Sequence, residues 1–209
     1  MRTFKDSRTT NGILKKVSRE RATLSLGQRI DRYLDEEAWS KARSLILRAR
    51  KKEPRSHWLL TRLSSAYLGE HRDLEALTAS KRAFKRAPRC PLVLWDYANA
   101  LDILKHHKQA IRIWKRLLTM RVERIAYDEC GEGLRRARSL INDCRYRIGF
   151  SLAELGEFPT ATHYIKEHLS HRSPGTPSIY SRAFVKRRLK HILKKGKIGG
   201  VPNGNAHAH

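Results

Sequence analysis

The sequence predicts an all-α protein, an extended stack of helix pairs. Pro54 and Pro88 lie 34 residues apart, and the residues between them recur at the same interval. A period of that length marks paired helices, each pair burying its apolar face only against its neighbours. Within 57–90, Leu60, Leu63 and Tyr67 share one helical face at i, i+3 and i+7. Ala76 and Ala83 follow on the next helix, small enough to let two helices approach closely.

In this frame residues 1–22 form a basic N-terminal segment. The units are 23–56, 57–90, 91–124 and 142–175, with an insertion at 125–141. Tyr33, Ala42, Ala49 and Pro54 mark the first unit, Leu94, Ala110 and Trp114 the third, and Ile148, Gly149, Ala161 and Pro174 the fourth. Val122 stands where the third unit's closing Pro belongs. Leu68-Gly69-Glu70 and Leu155-Gly156-Glu157 are read as left-handed turns between helices, and the prolines as stops for second helices. The insertion begins as a loop around Asp128–Gly133 and continues as helix, so one long helix is expected from about Leu134 to Leu155. Gly131-x-Gly133 ahead of a helix could cradle an anion; the acids before it favour a plain turn. Thr176 and Pro177 read as the N-cap and first residue of a terminal helix, 176–197. Its Val185, Leu189 and Ile192 face the stack. The Gly-rich tail, 198–209, is expected to be disordered.

These residues resemble the tetratricopeptide repeat (TPR), with its pattern W-x2-L-G-x2-Y, A-x3-F, a later Ala and a closing Pro. Leu60, Leu63, Tyr67, Ala76, Ala83 and Pro88 fill matching places, with Ser64 at the Gly place and Ser80 at the Phe place. The resemblance implies a right-handed α-solenoid of about four helix pairs with a C-terminal capping helix. It also implies that the first helix of each pair lines a concave groove. Carried over place by place, that groove holds Trp58, Thr61, Arg62 and Ser65, then Trp95, Asp96, Asn99 and Asp102, then Asp143, Tyr146, Arg147 and Phe150. The candidate partner-binding residues are Trp58, Arg62, Trp95, Asn99, Tyr146, Arg147 and Phe150. Some TPR proteins grip a C-terminal carboxylate with a Lys/Asn/Asn/Lys/Arg clamp; here only Asn99 stands in a suitable place.

Charge is the second strong signal. Lys plus Arg is 45 against 20 Asp plus Glu, a net +25. Such a field favours an anionic partner: an acidic protein surface or nucleic acid. The bases concentrate on the second helices, at Arg82, Lys85, Arg86, Arg112, Lys115 and Arg116. They continue on the insertion at Arg135 and Arg136, and on the terminal helix at Lys186, Arg187, Lys190 and Lys194. Stacked repeats would align them as an outer stripe.

Nothing in the sequence announces catalysis. It has no phosphate-binding loop, nucleophile elbow, metalloprotease motif or dinucleotide fingerprint. Cys90, Cys130 and Cys144 are odd in number, without CxxC or Cys/His metal spacing, and read as reduced thiols. His106 and His107 are adjacent, so on a helix they point about 100° apart and share no site. No metal, cofactor or small-molecule substrate is expected. No run approaches the roughly 20 apolar residues of a membrane span, and the N-terminus lacks an apolar signal region. A cytoplasmic location is therefore expected. The reading is a non-enzymatic scaffold or adaptor holding a protein or peptide in its groove, its basic surface favouring an acidic partner. The alternative is a nucleic-acid-associated module gripping phosphates through the basic face and tails.

Overall fold

The computed structural model describes residues 24–199; the expectations for residues 1–22 and for most of the tail lie outside the described residues. Ten helices run through the described residues, with no strand between them. They are α1 (Leu26–Asp35), α2 (Trp39–Lys52), α3 (His57–Gly69), α4 (Asp73–Arg86), α5 (Pro91–Ile103), α6 (His107–Leu118), α7 (Val122–Ala126), α8 (Gly133–Glu154), α9 (Phe158–Ser170) and α10 (Arg182–Gly199). Four antiparallel pairs result: α1/α2, α3/α4, α5/α6 and α8/α9.

Helix starts follow local chemistry. Ser25 opens α1 with a capping box: its hydroxyl accepts from the Gln28 amide at 3.3 Å, and Gln28 Oε1 accepts from the Ser25 amide at 2.9 Å. Ser56 accepts from the Leu59 amide at 3.2 Å to start α3. Pro91 takes the first position of α5, where no amide hydrogen is needed.

The repeat is written most clearly in the turn inside each pair. Glu37, His71 and Lys105 have φ of 54°, 57° and 64°, and Gly156 has φ of 82°. The first three are spaced by 34 residues. In each turn one amide reaches back five residues: Ala38 to Tyr33, Arg72 to Tyr67, His106 to Leu101 and Glu157 to Leu152, at 2.8–2.9 Å. The left-handed residue itself donates at 3.0–3.1 Å to the carbonyls of Leu34, Leu68, Asp102 and Ala153. These are four Schellman caps, and they satisfy carbonyls that the helix end leaves open. The left-handed residue after α3 is therefore His71 and not, as the sequence reading has it, Gly69. Gly69 has a different task. A Cβ there would stand 2.2 Å from Cδ2 of Trp39, so the glycine lets the indole lie flat on α3.

Ala42, Ala76, Ala110 and Ala161 are all fully buried between the helices of their pairs. Gly149 serves the same purpose in α8, where a Cβ would meet Cγ1 of Ile165 at 2.6 Å. Trp114 fills the place between the third and fourth pairs, packed with Leu94, Ala110, Cys144 and Ile148. Ile30, Ala42, Ile46, Leu59 and Leu63 form the core of the first two pairs.

The insertion adds α7 and the first turns of α8, which close on each other through Ile125, Ala126 and Ala137. The expected long helix is α8, Gly133–Glu154. The terminal helix starts later than the sequence reading has it, at Arg182, with the Ser181 hydroxyl accepting from the Phe184 amide at 3.2 Å. Residues 176–181 are instead irregular and tied to α8. The Asp143 carboxylate accepts from the Ser178 hydroxyl at 2.5 Å and the Ile179 amide at 3.2 Å. Val185 and Ile192 of α10 are buried in the last core cluster. No helix among the described residues is long and apolar enough to cross a membrane.

Candidate functional site

The first helices of the pairs pack on one another: α1 touches α3, and α3 touches α5. The residues predicted to line a groove fall into two groups in the structure.

In the first group, Trp58 and Arg62 stack on each other, and Trp95 lines a cleft. Trp58 lies half-buried with the Arg62 guanidinium 5.2 Å above its ring. Arg62 Nε pairs with Asp31 of α1 at 2.8 Å, and its Nη2 reaches Glu132 of the insertion at 3.7 Å. One arginine thus links α3 to α1 and to the insertion. Beside it Pro91, Leu92 and Trp95 of α5, Ile125, Leu140 and Ile179 form the walls of a cleft of about 180 Å³, with Asp128, Glu132 and Arg136 on its rim. A 150 Å³ apolar cavity holds a benzene-sized group, so this cleft is sized for one apolar side chain. Asp96 is buried next to this region, and burial pushes its carboxyl up to about 7 against the pull of Arg62.

The second group is not open. Tyr146 is expected on the groove surface, yet it is 3% exposed. Tyr180 lies 4.1 Å from it, ring centre to ring centre, because residues 176–181 cross over α8. Phe150 is half-buried under the Arg188 guanidinium of α10, 5.2 Å away. Asn99 and Arg147 bind each other: Asn99 Oδ1 accepts from Arg147 Nε at 3.0 Å and from Nη2 at 2.7 Å. The C-terminal segment and α10 thus cover Tyr146 and Phe150 of α8. Periodicity within the repeats could not show that a later segment covers Tyr146 and Phe150.

The predicted basic residues of α4, α6 and α10 all reach the surface. Arg82, Lys85 and Arg86 of α4, Arg112, Lys115 and Arg116 of α6, and Lys186, Arg187, Lys190 and Lys194 of α10 are exposed. Neighbouring helices share the field. The partly buried Arg50 of α2 is pulled below the usual guanidinium value by desolvation, then by Arg82 and Arg86. Arg135 is exposed, while Arg136 pairs with Glu132 at 3.0 Å. Glu132 sits just before Gly133, so a carboxylate stands where an anion cradle is conceivable from sequence.

One constellation escaped the sequence reading. His57 at the start of α3, Cys90 at the N-cap of α5 and Cys130 in the insertion converge, with ligand atoms all within 4.8 Å of one another. His57 Nε2 lies 3.2 Å from Cys130 Sγ. The Cys90 thiol and His57 lower the Cys130 pKa to about 6, while the same pairing and burial push Cys90 well up. These residues are far apart in sequence, so no short spacing could announce them. Cys144, by contrast, is fully buried in the last core cluster.

No family model matches the chain, and no curated protein matches it in sequence. Solved structures do. The C-terminal part of a TPR repeat-containing protein from Cytophaga hutchinsonii superposes with a TM-score of 0.56 at 15% identity, over 80% of this chain and 57% of that one. Two crystal structures of MamA give TM-scores of 0.51 at 14% and 13% identity, over 81% and 86% of this chain and 95% and 94% of theirs. The fold is a TPR-like helical repeat. The chain spans little more than half the length of the first of these structures.

Proposed function

We propose that this protein is a non-enzymatic scaffold that holds a segment of a protein partner on its inner face. The binding surface is the part left open by the C-terminal segment, around Trp58, Arg62 and Trp95. The observation that carries this reading is the apolar cleft between α5 and the insertion, rimmed by both acids and bases. It takes one anchoring side chain, and the rim offers polar contacts around it, the arrangement of a small interface hot spot. The exposed bases of α4, α6 and α10 favour a partner with acidic flanks and speed its approach. The protein works in the cytoplasm, a compartment that keeps free thiols such as Cys130 reduced. The likeness to TPR-repeat proteins lends nothing to the nucleic-acid reading.

The test is affinity capture from native cells after nuclease treatment, at low and physiological salt. Partner capture should survive nuclease and salt, be lost with Leu92→Arg and Trp95→Ala, and weaken only modestly with Lys186→Glu/Arg187→Glu/Lys190→Glu. Phosphate binding would behave otherwise, losing orders of magnitude between about 50 and 200 mM salt when six or more phosphates are neutralised. Tight, steeply salt-dependent binding of a fluorescent oligonucleotide, unaffected by Trp95→Ala, would replace this reading with the nucleic-acid one.

A further inference from the structure

We infer that His57, Cys90 and Cys130 form a zinc site that pins the insertion onto the second and third helix pairs. Three separate segments supply one ligand atom each, and all three atoms lie within 4.8 Å of one another. Zinc takes thiolate sulfur at about 2.3 Å and imidazole nitrogen at about 2.0–2.1 Å, so tetrahedral ligand atoms stand roughly 3.5–3.8 Å apart. The His57–Cys130 distance of 3.2 Å is already close to that value, and the remaining ligand-atom separations are at most 4.8 Å. The donor set is right for the metal: two sulfurs and an imidazole select zinc over the oxygen-seeking cations.

Charge and burial agree with this. Cys90 is 7% exposed and packs with Leu60, Ala83 and Val93. Two thiolates and one divalent ion sum to zero, so the site adds no charge to a half-buried place in a chain of +25. On binding, each thiol gives its proton to solvent, and neutral His57 binds through Nε2. Asp128 steadies the loop, its Oδ1 accepting from the Cys130 amide at 3.3 Å. Cys130 also lines the cleft, which leaves the fourth position to water or to a residue of a bound partner. This inference stands apart from the partner reading: the metal titration needs no partner, and partner capture needs no metal measurement.

The experiment is a cobalt titration of the full chain, reduced and stripped of metal with chelator. One equivalent is expected to bind, with thiolate-to-cobalt charge-transfer bands and the intense visible bands of a tetrahedral centre, all displaced by zinc. Cys90→Ser, Cys130→Ser and His57→Gln should each abolish stoichiometric binding, while Cys144→Ala and His207→Ala/His209→Ala retain it. Because a variant can fail by misfolding, the wild-type protein supplies a second readout: zinc should protect Cys90 and Cys130 from maleimide labelling. The inference is overturned if wild-type protein binds no stoichiometric cobalt, if binding survives loss of either cysteine, or if it vanishes with His207 and His209. It is also overturned if a Cys90–Cys130 disulfide forms in air as fast with zinc as without.

Discussion

Arg147 of α8 grips Asn99 of α5 with two donors on one carbonyl oxygen, at 3.0 and 2.7 Å, across the point where the insertion interrupts the repeat. The same guanidinium lies 5.2 Å over the ring of the buried Trp114 and 3.8 Å from Asp102. Asp102 in turn accepts from Ser151 at 2.5 Å and pairs with His107 at 2.7 Å. The third and fourth pairs are therefore joined by a polar lock as well as by apolar packing. Arg147→Ala is expected to cost about 2 kcal/mol, since charged hydrogen bonds contribute roughly 1.5–3 kcal/mol. Arg147→Lys keeps the charge, loses the paired donors and should fall between. Urea denaturation followed by circular dichroism checks both; wild-type stability in Arg147→Ala would remove the lock from the account.

The Schellman caps make a prediction of opposite sign. Lys105 holds φ at 64° with its side chain exposed. A left-handed conformation costs a non-glycine residue about 1–2 kcal/mol, part of which glycine returns through its greater unfolded freedom. Lys105→Gly should therefore stabilise the protein by about 0.5–1 kcal/mol. Gly156→Ala should destabilise it by about 1 kcal/mol, although a Cβ there meets open space. Thermal melts of the two variants read the difference directly.

His168 gives the fold a pH dependence. It is fully buried; its Nδ1 donates to the Asn142 carbonyl at 3.0 Å, and its Nε2 has no hydrogen-bond partner. Burial lowers its pKa below the ordinary 6.5, with Arg172, Arg145 and Arg182 adding to the effect and the Asn142 carbonyl opposing it. The Asp143 carboxylate, 3.9 Å away, does not reverse the balance. The unfolded chain thus takes the proton first, and stability is lost as pH falls through the ordinary histidine range. The melting temperature of wild-type protein should drop from pH 7.5 to pH 5.5, and His168→Gln should show a shallower drop. Equal slopes would contradict the buried neutral imidazole.

The sequence carried the architecture because helical repeats are local. Pro54 to Pro88 spans one unit, and the alanines at its close approaches lie within that same span. What it could not carry was non-local. Tyr146 and Phe150 are covered by Tyr180 and Arg188 from a later segment, which Asp143 holds through Ser178 and Ile179. His57, Cys90 and Cys130 belong to three segments that meet only after the insertion folds back. Gly69 shows a finer limit: a glycine near a helix end reads as a left-handed turn, yet here the close approach of Trp39 decides its use.

The central proposal is that the cleft beside Trp95, not the exposed bases, holds a protein partner. A photo-crosslinking residue placed at Leu92 in the cleft, and separately at Arg116 on the outer face, tests it most directly in cells. Crosslinking at position 92 to a discrete protein, competed away by Trp95→Ala in the same chain and absent at position 116, is the predicted result. Crosslinks confined to position 116, or made there to nucleic acid, would contradict the account.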